Sequence, residues 1–119
     1  MPFNWALYAK MRLNRDQLVC EWQGVKPDLP ELGSKVGLAV ETLKDKPLHA
    51  VRHKAENGTN GWYIWCGEYS EDPDFFSPLH VEHLEKYIPE FIQYIGLPSG
   101  YRVLIDGEGY EDVWFDENV

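Results

Sequence analysis

Cysteine is scarce in this chain: Cys20 and Cys66 are the only two in 119 residues, and they do not form a CxxC pair. That excludes the disulfide framework on which small secreted domains depend, and it excludes a paired-thiolate zinc site. Both thiols sit in apolar, strand-like runs and are expected to be reduced, buried and inert. A bridge between them ranks lower, because the expected compartment is reducing. Long apolar runs are also missing. No stretch approaches the ~18 consecutive apolar residues of a membrane helix, and MPFNWALYAKMRLN lacks the basic-then-apolar layout of a signal peptide. The expectation is a soluble, cytoplasmic protein with no membrane partner, built as one domain over residues 1–119.

Basic residues are scarce in the second half. Met1 to Gly67 holds nine Lys/Arg against seven Asp/Glu, whereas Glu68 to Val119 holds two against thirteen, within a net charge of −9. An acidic surface is often no more than a device for solubility. A one-sided distribution of this kind also sets up a field that repels nucleic acid and anionic lipid and attracts basic proteins. Nucleic-acid binding is therefore not expected.

What is present is concentrated between Gly61 and Ile95, which carries about half of the aromatic residues. Trp62 to Cys66 is an unbroken apolar run and reads as a strand covered on both faces. Leu48 to Ala55 alternates, with Leu48, Ala50 and Arg52 pointing one way and His49, Val51 and His53 the other. The Asn57-Gly58 and Asn60-Gly61 pairs between these runs predict a hairpin. Gln17 to Trp22 reads as a strand, and Trp5, Leu7 and Tyr8 are candidates to start another. Ser34 reads as the cap of a short helix from Lys35 to Leu43, weakened by Gly37.

Ser77 and Pro78 read as the start of a helix whose face is Val81, Leu84, Ile88, Phe91, Ile92 and Ile95. Pro89 should break or kink it. Tyr101 to Ile105 and Tyr110 to Phe115 read as a second hairpin around Asp106-Gly107-Glu108-Gly109. The fold class is thus α+β: a mainly antiparallel sheet with two helical segments packed on one face, in the order β-α-β-β-α-β-β.

Catalytic patterns are thin. His80 and His83 stand three apart and could share a metal, with Glu68, Asp72 and Asp74 nearby in sequence. A zinc site needs three or four ligands, however, and no HExxH is present. Asp72-Pro73-Asp74 begins like a calcium loop but lacks its glycine and closing glutamate. A Cys66–His80 nucleophile pair with Asp74 as orienter would need an electropositive setting, and this one is acidic. Gly107-Glu108-Gly109 is flanked by carboxylates that would repel a phosphate. No metal or other cofactor is expected.

Tyrosines and tryptophan ringed by carboxylates are the composition of an anchor-and-rim protein interface. Three stretches carry it: Glu68, Tyr69, Glu71, Asp72 and Asp74 in the loop, Tyr87 and Glu90 on the helix, and Tyr110, Asp112 and Trp114 on the last strand. The plainer reading of Tyr87 and Tyr94 is that they cover the edge of the core. On the final strand, alternation sets Tyr110, Asp112 and Trp114 on one face and Glu111, Val113 and Phe115 on the other.

The strings GWYIWCGE, DFFSPLH and YEDVWFD, in that order, resemble a family of predicted immunity proteins from bacterial polymorphic-toxin and contact-competition systems. The resemblance spans about residues 60–119. It implies a small α+β protein that binds and blocks a cognate toxin domain, and it brings no catalytic residues with it. A basic toxin surface would suit the charge asymmetry. The alternative is a small metal-dependent or hydrolytic enzyme using Glu68, Asp74, His80 and His83.

Overall fold

The computed structural model describes residues 19–119. The reading of Trp5, Leu7 and Tyr8 lies outside them. Within them the chain is α+β, a six-stranded mixed sheet with a few short helical pieces. The strands are β1 (Lys35–Leu38), β2 (Leu48–Arg52), β3 (Thr59–Cys66), β4 (Ser77–His80), β5 (Tyr101–Ile105) and β6 (Glu111–Phe115). Their order across the sheet is β4-β1-β3-β2-β5-β6. Four of the neighbouring pairs are antiparallel, and β1 runs parallel to β3.

Both hairpins form as expected. β2 and β3 pair with Ala50 opposite Ile64, and β5 and β6 pair with Val103 opposite Val113. Before β3, Asn57 and Gly58 take φ of 52° and 83°, and Thr59 N–H closes the turn on Glu56 O at 2.9 Å. Two successive residues at positive φ are what Asn-Gly permits at low cost.

One face of the sheet holds the core. Leu48, Ala50, Trp62, Ile64, Val103 and Val113 point into it, and Val81, Leu84, Ile88, Phe91, Ile92 and Ile95 cover it. The Trp62 ring meets Phe91 edge-on at 4.9 Å, and its indole N–H donates to Ile95 O at 3.1 Å. The covering layer is a chain of short pieces: a 3-10 turn at Val81–His83, α2 at Leu84–Tyr87, and a 3-10 stretch at Pro89–Tyr94. The break falls at Ile88, whose φ of −139° precedes Pro89. A residue before proline is pushed out of helical φ/ψ, so the apolar face survives while the helix does not.

Three expectations are corrected. Residues 19–23 are helical (α1) rather than part of a strand over 17–22. Adjacent Val19 and Cys20 are buried while Glu21 and Trp22 are exposed, a pattern that suits a helix and not a pleat. Lys35 to Leu43 is β1 followed by a 3-10 turn at Val40–Thr42, not a helix capped by Ser34. Pairing with β3 and β4 outweighs local propensity there. Ser77 and Pro78 begin edge strand β4, and the helical layer starts only at Val81. Pro78 is tolerated because an edge strand has a side that needs no donor.

Arg52 ties the two layers together. It is 5% exposed, and Nε donates to Asn60 O at 3.0 Å while Nη1 donates to Asp28 O at 2.6 Å and Leu97 O at 2.7 Å. Its guanidinium lies 5.7 Å from the centroid of the Trp62 ring. Burial pulls its pKa down, and nearby Asp28 partly offsets this.

Candidate surface for protein recognition

The second face of the sheet has no helical cover among the described residues. Registers place side chains there in two crosswise rows. One runs Trp114, Arg102, Val51, Tyr63, Gly37 and Pro78; the other runs Asp112, Leu104, His49 and Trp65. Trp62 to Cys66 is therefore not covered on both faces. Trp62, Ile64 and Cys66 are buried, whereas Tyr63 and Trp65 are half-buried on the open side.

Those rings cover one another. His49 stacks on Trp65 at 5.0 Å with the planes 10° apart, and burial lowers the His49 pKa. Tyr63 meets Phe76 at 5.2 Å, Trp65 meets Tyr69 at 5.3 Å, and Phe75 meets Phe76 at 4.9 Å. The loop after β3 thus folds back along the sheet. Between it and β5 lies a groove of about 900 Å³, lined by Val51, His53, Tyr63, Trp65, Tyr69, Phe76 and Arg102 among others. Tyr69 remains 57% exposed.

Charge is gathered at one end. β2 starts, β3 ends, β5 ends and β6 starts on the same side, since Leu48 lies opposite both Cys66 and Ile105, and Ile105 opposite Glu111. Residues 39–47, 67–76 and 106–110 therefore emerge together, carrying eight carboxylates against Lys44 and Lys46. Lys46 is spent on Glu108 at 3.4 Å in an exposed pair worth little.

Two of these acids also shape their own turns. Asp72 Oδ1 accepts the Asp74 N–H at 2.8 Å, and Asp106 Oδ1 accepts the N–H groups of Glu108 and Tyr110 at 2.7 and 3.0 Å. The latter two bonds hold the Asp106 carboxyl below its usual range. Glu68, Glu71 and Asp74 are exposed.

The residues singled out from the sequence divide accordingly. Glu68, Tyr69, Glu71, Asp72 and Asp74 share the acidic end, with Tyr110 beside them. Asp112 and Trp114 lie on the open face across the sheet. Tyr87 and Glu90 are exposed but belong to the helical layer on the opposite side.

The Imm33-like domain family model matches residues 15–116. The chain belongs to the Imm33-like domain family. Neither a curated protein nor a solved structure matches it.

In this Imm33-like domain the residues of the enzymatic alternative do not converge. Glu68 and Asp74 lie at the acidic end, while His80 lies opposite Lys35 at the far end of β4, its ring 6.0 Å from that of His83. Among the described residues no three His, Cys, Asp or Glu side chains group as metal ligands. Cys66 points into the core, and burial, then Glu90, then Asp45, push its thiol up to about 11. No described helix is long and apolar enough to cross a membrane.

Sequence reasoning missed His49, Tyr63, Trp65, Phe76 and Arg102 as surface residues. The signal was the alternation of β2, which already set His49, Val51 and His53 on one side. Carried across the hairpin, it sends Tyr63 and Trp65 to that same side.

Proposed function

We propose that this Imm33-like domain is an immunity protein that binds a cognate bacterial toxin domain and neutralises it by direct contact. It performs no chemistry of its own and works in the cytoplasm, where its target acts. The observation that carries this reading is the convergence of two acidic loops, residues 67–76 and 106–110, at one end of the sheet. Membership of the family supports it from a separate direction. The partner surface is basic: carboxylates held at one end produce a field that accelerates encounter with a cationic cleft. Glu68, Tyr69, Glu71, Asp72, Asp74, Tyr110, Asp112 and Trp114 form the docking region, and Tyr87 and Glu90 would belong to it only if the partner wraps around the edge of the domain.

Self-protection needs tight binding, and nanomolar affinity corresponds to about −12 kcal/mol. A few aromatic anchors with paired charges supply that much. The test is co-expression with the toxin domain encoded beside this gene, followed by titration of the purified pair. Wild type should restore growth and bind at nanomolar concentration. Changing Glu68, Glu71 and Asp74 together to Lys should slow association by about tenfold or more at low salt and flatten its salt dependence. Unchanged association at every salt concentration rules out the acidic end as the docking region, and absence of any complex with wild type rules out the function.

A further inference from the structure

Resting on that reading, we infer that the outer edge of β6 is a docking edge, and that it takes up an extended, basic segment of the toxin domain as a seventh strand. The backbone sets the geometry. At the two ends of the β5–β6 ladder, Asp106 N–H donates to Tyr110 O at 3.3 Å and Asp116 N–H donates to Gly100 O at 2.8 Å. Bonded pairs alternate along an antiparallel ladder, so between those ends Leu104–Asp112 and Arg102–Trp114 are the bonded partners. The N–H and C=O groups of Glu111, Val113 and Phe115 therefore point away from β5. Among the described residues no strand pairs with that side.

The opposite edge of the sheet is blunted. Val81 N–H donates to Ser34 O, so along β4 Ser77 and Leu79 face β1 while Pro78 and His80 face outward. Pro78 has no N–H to offer there, and proline on an edge hinders pairing. β6 contains neither proline nor a basic residue, and its register with β5 is unbroken.

Charge defines the occupant. Residues 106–119 hold six carboxylates and no Lys or Arg. Lys46 pairs with Glu108 and Arg102 with Asp116, so two of the six are balanced. The surplus lies along a strand whose Trp114 and Phe115, with Tyr110 just before them, are exposed. Trp114 and Phe115 also line a shallow cleft of about 440 Å³ with Asp116 and Glu117. An added strand with Lys or Arg at alternate positions bonds to the free backbone groups, brings its cations to Asp112 and Glu117, and lays their stems on the rings. A second copy of this chain would set the same negative surplus against itself, which disfavours self-pairing.

The experiment uses the full, isotope-labelled chain and the toxin domain that wild type captures. Amide hydrogen exchange is followed in the free and bound protein. On binding, the amides of Glu111, Val113 and Phe115 should slow by about tenfold or more, whereas those of Asp112 and Trp114, already bonded to β5, should change less. Glu111→Pro removes one outward donor at the first residue of the strand and should weaken binding by about tenfold, with Glu111→Gln, which keeps that donor, losing clearly less. The exchange pattern of wild type keeps the test independent of whether the proline variant folds. A complex that leaves the three outward amides as fast as in the free chain overturns edge pairing, and so does an equal loss in the two Glu111 variants. Protection that arises without toxin and grows with protein concentration overturns the toxin segment in favour of a second copy. A wild-type chain that binds no toxin domain at all removes the functional reading, and this inference with it, whereas a complex with unprotected edge amides removes only the inference.

Discussion

The ring of Tyr63 lies over Gly37, so that a Cβ at position 37 would stand 2.6 Å from Tyr63 Cδ1 and 2.9 Å from Cε1. The two residues are register partners in the parallel β1–β3 pair, and Phe76 closes the third side with its Cβ at 3.4 Å from the same point. Glycine within a strand marks a close approach, and here the approaching group is a ring of the open sheet face. Gly37→Ala should therefore force Tyr63 off the sheet and loosen Phe76. The expected cost is about 1–3 kcal/mol, in the range of overpacked sites. On the proposed function, affinity for the toxin domain should fall as well, because the Phe76 ring neighbours that of Tyr69 in the docking region. Urea denaturation and titration of the same preparation check both. A variant as stable as wild type would show that the ring shifts freely.

The same pair shows what was legible in the sequence and what was not. Asn57-Gly58, the β5–β6 turn and the break at Pro89 are local signals, written in residues that set φ themselves, and the structure keeps all of them. The apolar face from Val81 to Ile95 was equally readable, because burial depends on the side of the chain and not on whether the turns are α or 3-10. β1 was not readable. Val36, Ala39 and Leu43 recur at helical spacing, and only the long-range pairing of Lys35 with Thr59 and His80 makes the segment a strand. The open face was hidden for a different reason. Tyr63 and Trp65 interrupt no apolar run, so WYIWC gives no polar alternation to reveal that one side meets solvent.

Arg52 offers the sharpest stability prediction. Its N–H groups satisfy the carbonyls of Asp28, Asn60 and Leu97, which belong to three separate parts of the chain. Arg52→Met fills much of the volume but leaves all three acceptors without this donor, and a buried unsatisfied group costs about 1–3 kcal/mol. A total loss of about 3 kcal/mol or more is expected, read as a lower urea midpoint at unchanged slope. Arg52→Lys should recover only part of it, since one ammonium cannot reproduce the planar fork. Loss below about 1 kcal/mol in the Met variant would mean that water takes over the carbonyls.

Tyr94 joins the helical layer to the edge of the sheet by donating its hydroxyl to Glu111 Oε2. Tyr94 is 2% exposed, so its ring belongs to the core and only the hydroxyl reaches outward. Tyr94→Phe keeps the packing and removes the bond to a carboxylate, for which about 1.5–3 kcal/mol is the usual range for a charged partner. Glu111→Gln keeps a weaker acceptor and should cost less. In the double variant the two effects should fall short of their sum, the signature of a shared interaction. Strict additivity in thermal or urea unfolding would show that the two groups act separately.

Cys66 makes stability depend on pH in the alkaline range. Its thiol is raised from an ordinary 9.0 to about 11 by burial first and by Glu90 and Asp45 second. Below pH 9 the thiol is protonated in folded and unfolded chains alike, and the contribution is fully present. Between pH 9 and about 11 the unfolded chain gives up the proton while the folded chain keeps it, so the folded state holds more protons and stability falls as pH rises. Cys66→Ala should flatten that part of the curve relative to wild type, whatever it does to stability at neutral pH. Thiol labelling gives a second readout. At pH 8 the folded protein should react with iodoacetamide far more slowly than the urea-unfolded chain, because the thiolate is the nucleophile. Rapid labelling of native Cys66 at that pH would mean that the strand end bearing it opens readily, and the acidic loops anchored beside it would then not be held in one arrangement for a partner to meet.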